Sequence, residues 1–355
     1  MDIIKQLTRL TAVQERFSQH TNFRSAICCA RKSDNKNDNN PSGYYVYEIT
    51  KNQHKTLGLI AAVPLHYYLN KRILKHEDTE PEKTHTIINQ FQEDSFQRTP
   101  VLITFRDTEN IQSILKRHTE LNQPIADIHS DDTNHKLWYV SHKTSCDNLA
   151  QLFNRIQQFY IADGHHRFSG AERLKKSHLL AFLVNHEQLF IQSFSKIVLE
   201  WRSSMWTKEN LLKFIGIKFE ILPCKTSHHL SNNKSCMMLL EKNPYLLVHK
   251  HDQFFYTPAL ASTEVHNWIF KTGLNISSEN YAKRVLSIPQ QHTLEHSIQK
   301  SLTQDTDRLS FFFNPIPIET IFQLSGYYIK LPPNVTWFEP KALSNFIFFL
   351  LEAWD

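Results

Sequence analysis

Two runs rich in β-formers and apolar residues, 44–49 and 56–63, are separated by the polar segment 51–54, which predicts a β-hairpin. Apolar runs of strand length follow at 101–105, 137–141, 159–162 and 179–184, while spacings of three and four residues predict helices over 81–91, 111–118, 146–157 and 169–176. Strands thus alternate with helices through the first half, a mixed α/β pattern. Beyond 184 the pattern loosens. A strand is expected at 309–313, a short helix at 317–322, and an apolar terminal helix over 340–354 that opens on its own proline. The first 17 residues interleave charges with apolar positions and predict a short amphipathic helix.

Two polar stretches without periodicity, KSDNKNDNNPSG at 32–43 and another at 226–235, read as exposed loops. They suggest three parts: an N-terminal helix and linker over 1–43, a first lobe over 44–225, and a second α+β lobe over 226–355. No window approaches the roughly 18 apolar residues that a spanning helix needs, so no membrane span is expected. The five cysteines are odd in number and form no CxxC pair, and the N-terminus lacks the apolar stretch of a secretory signal. A reducing, cytoplasmic setting is the expectation.

Only 7 of the 355 residues are glycine, and neither GxGxxG nor GxxxxGK[ST] occurs. That excludes Rossmann dehydrogenases, P-loop NTPases and ordinary protein kinases, so any phosphate must be held by side chains and helix ends. The net charge of +5 is spread along the chain and suits an anionic small molecule. With no helix-turn-helix and no concentrated basic patch, nucleic acid is not an expected partner.

The sharpest segment is FYIADGHHRFSGAERL, beginning at Phe159. A strand ends at Asp163, Gly164 permits an unusual turn, and His165, His166 and Arg167 emerge where a helix begins. Two imidazoles, a guanidinium and helix-end amides make a compact anion receptor. The plainer alternative makes Asp163 a helix cap and the histidines surface groups. A second segment, ILKHEDTEPEKTH, carries Glu77 as a candidate base and Lys75 and Lys83 as cations for phosphate, or else is a solvated charged loop. A third, LPPNVTWFEPKALSNF, places Thr336, Trp337 and Lys341 around a proline-stiffened turn, with Trp337 expected in the core. Zinc is disfavoured, since no HExxH or CxxC is present.

The succession YYVYEIT, TLGLIAAVPLHYY, ILKHEDTEPEK, HKLWYV, YIADGHHRF, FFFNPIPIE and LPPNVTWFEPK resembles the bacterial and archaeal domain-of-unknown-function family numbered one thousand and fifteen, from Tyr44 to Glu352. The resemblance implies a fold related to the ParB and sulfiredoxin superfamily, with a phosphate-binding lobe and a second α+β lobe. It also implies kinship with free-serine kinases, which phosphorylate L-serine from ADP, ATP or pyrophosphate. By that similarity Asp163, His165, His166 and Arg167 bind the phosphoryl donor and Glu77 lies close by. Three departures stand out. RSAICCAR at 24–31 replaces a PPYD-type segment, Ser195-Lys196 replaces His-Arg, and Asn334 replaces the lysine of a PPKST motif.

The expected activity is small-molecule phosphotransfer, most simply a free L-serine kinase. Donor phosphates go to His165, His166, Arg167, Lys75, Lys83 and Lys341; Glu77 is the base or hydroxyl positioner; Thr336 binds substrate; Asp163 is the reserve base and the contact for Mg²⁺. The alternatives are a nucleotide-responsive binding module without turnover, and a homologue that has lost activity.

Overall fold

The computed structural model describes residues 7–9, 27–31, 42–94, 96–203, 205–224, 235–250, 258–290, 297–298 and 308–350. In chain order the strands are β1 (Leu7–Arg9), β2 (Ile27–Arg31), β3 (Ser42–Lys51), β4 (His54–Pro64), β5 (Ile73–Leu74), β6 (Phe96–Gln97), β7 (Val101–Phe105), β8 (Ala126–Ser130), β9 (Thr133–Val140), β10 (Phe159–Asp163) and β11 (His178–Asn185). There follow β12 (Phe190–Val198), β13 (Phe219–Pro223), β14 (Ser235–Leu240), β15 (Asn243–His249), β16 (Val285–Pro289), β17 (Leu309–Phe312), β18 (Thr336–Glu339) and β19 (Ile347–Leu350). The main helices are α1 (Pro81–Asp94), α2 (Ile111–Leu121), α3 (Lys143–Arg155), α4 (His165–Arg173), α5 (Lys208–Lys218), α6 (Pro258–Glu264), which runs on as a π-helix over Val265–Gly273, and α7 (Ile318–Gly326).

The chain forms two compact units: Met1–Lys75, Lys83–Phe190 and Pro340–Asp355 make the first, His76–Glu82 and Ile191–Glu339 the second. This division does not run at 226. β13 already belongs to the second sheet, and the short segment His76–Glu82 joins the second unit. Polar composition marks where a chain surfaces, whereas units separate where cores do.

The first unit is built on a mixed sheet with the path β5-β10-β7-β11-β4-β3-β1-β2-β19-β6, to which β9 and β8 add beside β3. Its centre is the antiparallel pair β4 and β11, in register from His178 opposite Pro64 to Val184 opposite Gly58. These strands and β7 read as almost unbroken apolar runs because both faces are covered. The expected hairpin is β3–β4, turned at Asn52 and Gln53 with φ of 48° and 67°, the left-handed pair that matches strand twist.

The second unit holds a sheet of order β13-β15-β14-β17-β12-β16, with β18 beside β12. A buried cluster that includes Trp201, Leu211, Ile215, Val265, Ile269 and Phe311 packs α5 and the π-helix against it. Each unit therefore buries its own apolar core.

Two expected helices are not seen. Leu7–Arg9 is a strand paired with β2 and β3, while the rest of 1–17 lies outside the described residues. The terminal run is β19, parallel to β2 and antiparallel to β6, and 351–355 lies outside the described residues. A short all-apolar run such as FIFFL has no periodicity to arbitrate, so the available sheet edges decide. Of the two expected loops, 32–41 and 225–234 also lie outside the described residues. No described helix is long and apolar enough to cross a membrane.

Candidate functional site

β10 lies between β5 and β7, and a break in its register with β7 between Ile161 and Asp163 re-aims the final side chain. Gly164 follows at φ +104° and starts α4 directly at His165, four residues before the helix start expected from periodicity. The glycine is required: a Cβ here would meet Val101 Cγ1 at 2.8 Å and the Arg167 Nε and Nη2 at 3.1 Å. No side chain caps α4, so Asp163 is not its cap. The amino end of α4 is the end of the helix where the dipole favours an anion.

Asp163 is instead the hub of a charge cluster. Its Oδ2 accepts from Arg167 Nη2 at 2.5 Å and its Oδ1 from Lys341 Nζ at 2.5 Å. Arg167 Nη1 donates to the carbonyls of Thr99 at 2.7 Å and Pro100 at 2.6 Å, which locks the guanidinium plane. Burial works to raise the Asp163 carboxyl, but the charges of Arg167 and Lys341, with His165, outweigh it and hold the group below the ordinary aspartate value. One carboxylate between two cations leaves one net positive charge. Side-chain exposures of 30% for Asp163 and 33% for Lys341, against 13% for Arg167, place that charge at the unit's surface on a buried anchor.

His165 is buried beside this hub and His166 is half-buried. Lys75 lies over the Tyr68 ring at 5.4 Å, and Lys83 is exposed on the first turn of α1; neither is among the charges acting on Asp163. The expected Mg²⁺ contact does not fit. Both Asp163 oxygens are held by cations, and the described residues include no group of three or more His, Cys, Asp or Glu placed to hold a metal ion. The arrangement can grip an anion, but it cannot offer a free carboxylate.

Glu77 and Thr336 belong to the second unit, where Glu77 bridges Leu331 in parallel fashion. Glu77 Oε2 accepts from the Asn334 amide at 2.9 Å. Its Oε1 accepts from the amides of Val335 at 3.1 Å and Thr336 at 2.7 Å, and from Thr336 Oγ1 at 2.5 Å. Because that hydroxyl donates to Glu77, it accepts from His76 Nε2 at 2.8 Å. The carboxylate therefore shapes the loop 334–336 with four hydrogen bonds, filling the roughly four acceptor positions it has.

The other side of this loop is held by Lys196, only 4% exposed, whose Nζ donates to Pro333 O at 3.0 Å, Asn334 O at 2.9 Å and Ser287 Oγ at 2.8 Å. Asn334 sits at φ 54° and its side-chain amide donates to Glu80. Two of the departures from the family pattern, Lys196 and Asn334, are thus in contact. Ser195 Oγ accepts from Gln290 at 3.2 Å, and of the third departure only Ile27–Arg31 is described, as β2. Burial, with the Glu80 charge, raises the Tyr281 hydroxyl far above its ordinary value, so it stays protonated. Trp337 is half-buried, edge-on to Phe194 at 5.6 Å.

Glu80, Tyr281, Ser287 and the Thr99 and Pro100 carbonyls were not singled out by sequence. Glu80 had a signal, three residues beyond Glu77 in the same acidic segment; the others had none.

Two sheets and a cationic strand–glycine–helix junction place the chain in the class of mixed α/β folds. Within it, this chain is a member of the family described as a protein of unknown function (DUF1015), which matches residues 36–275. A search of curated proteins returns no match. Among solved structures, a free serine kinase with a glutamate-to-glutamine substitution, in complex with AMP, is 8% identical with a TM-score of 0.50, over 89% of this chain and 97% of that one. An ADP complex of a glutamate-to-alanine form is 9% identical with a TM-score of 0.49, over 89% and 97%. A conserved hypothetical protein from Pyrococcus furiosus is 9% identical with a TM-score of 0.47, over 80% and 94%. The first of these establishes the fold as that of a free serine kinase.

Proposed function

We propose that this protein is a small-molecule phosphotransferase that transfers a phosphoryl group from ADP, ATP or pyrophosphate to the hydroxyl of free L-serine. The observation that carries the reading is the net-positive Asp163–Arg167–Lys341 cluster at the amino end of α4. Phosphoryl transfer asks the protein chiefly to place two substrates and neutralise charge. The new bond joins the serine Oγ to phosphorus, the bond to the donor's bridging oxygen breaks, and the hydroxyl proton is released. Lys341, Arg167, His165, His166 and the first-turn amides are assigned to the donor phosphates. Thr336 is assigned to the acceptor. Glu77, with its acceptor positions filled, is better suited to holding Thr336 in place than to receiving the proton. The AMP bound in a free serine kinase structure supports a nucleotide-binding site.

The test is phosphorus NMR of the purified protein with L-serine and Mg²⁺ and, in separate samples, ADP, ATP or pyrophosphate. A phosphoserine signal that is lost in Lys341→Met supports the assignment and identifies the donor. Silence with all three from folded protein overturns it. One observation favours a second reading, a nucleotide-binding module without turnover: the Arg167 fork is engaged by Thr99, Pro100 and Asp163. A nucleotide-dependent rise in melting temperature without phosphoserine would select that reading.

A further inference from the structure

Lys341 is the more exposed cation of the Asp163 cluster, and it stands on a segment that is neither helix nor strand, between the end of β18 at Glu339 and the start of β19 at Ile347. A lysine on irregular chain keeps both backbone and rotamer freedom unless tertiary contacts remove it. Such contacts are present on its C-terminal side. The Asn345 amide donates to Arg98 O at 2.9 Å, and Ser344 Oγ accepts from Thr99 Oγ1 at 2.9 Å, beside the Thr99 carbonyl that receives Arg167. Nearer to Lys341, the Leu343 amide donates to the hydroxyl of Tyr47 at 3.1 Å, across 296 positions.

Tyr47 lies in β3 opposite Gly58 of β4 and Leu137 of β9, and it is 1% exposed. Its ring packs on Phe182 at 5.0 Å and Phe346 at 5.7 Å. Burial raises its hydroxyl far above the ordinary tyrosine value, so the phenol keeps its proton. With the Leu343 N–H on the oxygen, that proton goes to Nδ1 of the buried His135 at 2.7 Å, the arrangement in which amide, phenol and Nδ1 all have partners. Burial lowers the His135 pKa, with the nearby His129 adding to it, so at pH 7 the ring is neutral and Nδ1 can accept. The contacts therefore run from His135 through Tyr47 to the Leu343 amide, two residues from the lysine that pairs with Asp163, all within the first unit.

We propose that Tyr47, oriented by His135, is a positioning residue for donor binding: it fixes the Leu343 amide and thereby holds Lys341 at the phosphate-binding cluster. The inference rests on the donor assignment given to Lys341. Tyr47 is buried and touches no phosphate, so its whole effect on the donor passes through the segment that carries Lys341.

The experiment is a double-mutant cycle on the binding of pyrophosphate and ADP, measured by calorimetry on the full chain. Lys341→Met should weaken binding about tenfold or more, and Tyr47→Phe, which keeps the ring, about fivefold, the factor that one neutral hydrogen bond makes. In the double variant binding should stay within about twofold of Lys341→Met alone, whereas general damage to the fold would multiply the two effects. A second readout needs no donor. In the ligand-free protein, acetylation of Lys341 by acetic anhydride, followed by mass spectrometry, should be severalfold faster in Tyr47→Phe, while the exposed Lys116 reacts at the parental rate. His135→Leu, which removes the acceptor of the phenolic proton, should move both readouts in the same direction. Parental binding and parental Lys341 reactivity in Tyr47→Phe, or multiplied effects in the double variant, would overturn the inference and leave the donor assignment standing. A protein that binds neither ligand refutes the donor assignment instead, and the acetylation rates then decide by themselves whether Tyr47 holds Lys341.

Discussion

Replacing Glu77 with glutamine separates two roles that a loss of activity alone would confuse. A carboxylate acting only as a base has little effect on folding when it is neutralised. In this protein the same carboxylate receives the amides of 334, 335 and 336 and the Thr336 hydroxyl, and it is only 6% exposed. Glutamine keeps one oxygen but sets an NH₂ group against an N–H donor, and it removes the charge that strengthens the other bonds. Hydrogen bonds to a charged group contribute about 1.5–3 kcal/mol each, and an orphaned buried donor costs about 1–3 kcal/mol. Part of this is offset because a neutral side chain is cheaper to dehydrate, leaving a net loss of about 2–4 kcal/mol.

The second unit has a ready probe for this. Trp201, Trp206, Trp268 and Trp337, four of the six tryptophans, fall within Ile191–Glu339. With a urea dependence of about 2–3 kcal/mol per molar, the fluorescence midpoint should fall by about 1 M in Glu77→Gln. A midpoint within ~0.2 M of the parent, together with lost phosphoserine formation, would refute the loop-holding role and restore Glu77 as the base.

Three further outcomes are expected. Gly164→Ala forces a left-handed backbone and a 2.8 Å contact with Val101, so it should cost about 2–3 kcal/mol in denaturant unfolding and weaken ADP binding at least tenfold by calorimetry. Lys196→Met strips the ammonium from the Pro333 and Asn334 carbonyls and should raise the KM for L-serine several-fold with little change in the donor KM; an unchanged serine KM would contradict the place given to Thr336. His266, pushed down from 6.5 to about 3 by burial, with the charges of Lys271 and Lys196 adding to it, takes up a proton in the unfolded chain well before the folded one. Its contribution to stability is full above pH 6.5 and is lost as pH falls toward 3, by up to about 4–5 kcal/mol. His266→Phe, which keeps the ring contacts with Phe270 and Tyr281, should flatten that acid slope in tryptophan fluorescence.

The central strands and helices of the first unit were legible because their cause is local. A hairpin turn, a strand buried on both faces and an amphipathic helix each leave a local trace, and so β3, β4, β7, β11, α2 and α3 fall close to where the pattern puts them. The junction of Asp163, Gly164 and Arg167 was legible too, because strand end, turn and helix start follow one another in the chain. The strand β19 was not, since five apolar residues in a row suit either element until β2 and β6 offer their edges.

Tertiary structure alone decided what the chemically suggestive residues do. Lys341 reaches Asp163 across 178 positions and Thr336 reaches Glu77 across 259, separations over which no spacing rule operates. The sequence determined which charges the protein carries and that Gly164 allows a sharp turn beneath them. Which oxygens those charges occupy is a matter of long-range packing: Asp163 is held between two cations, and Glu77 receives the amides of the loop 334–336.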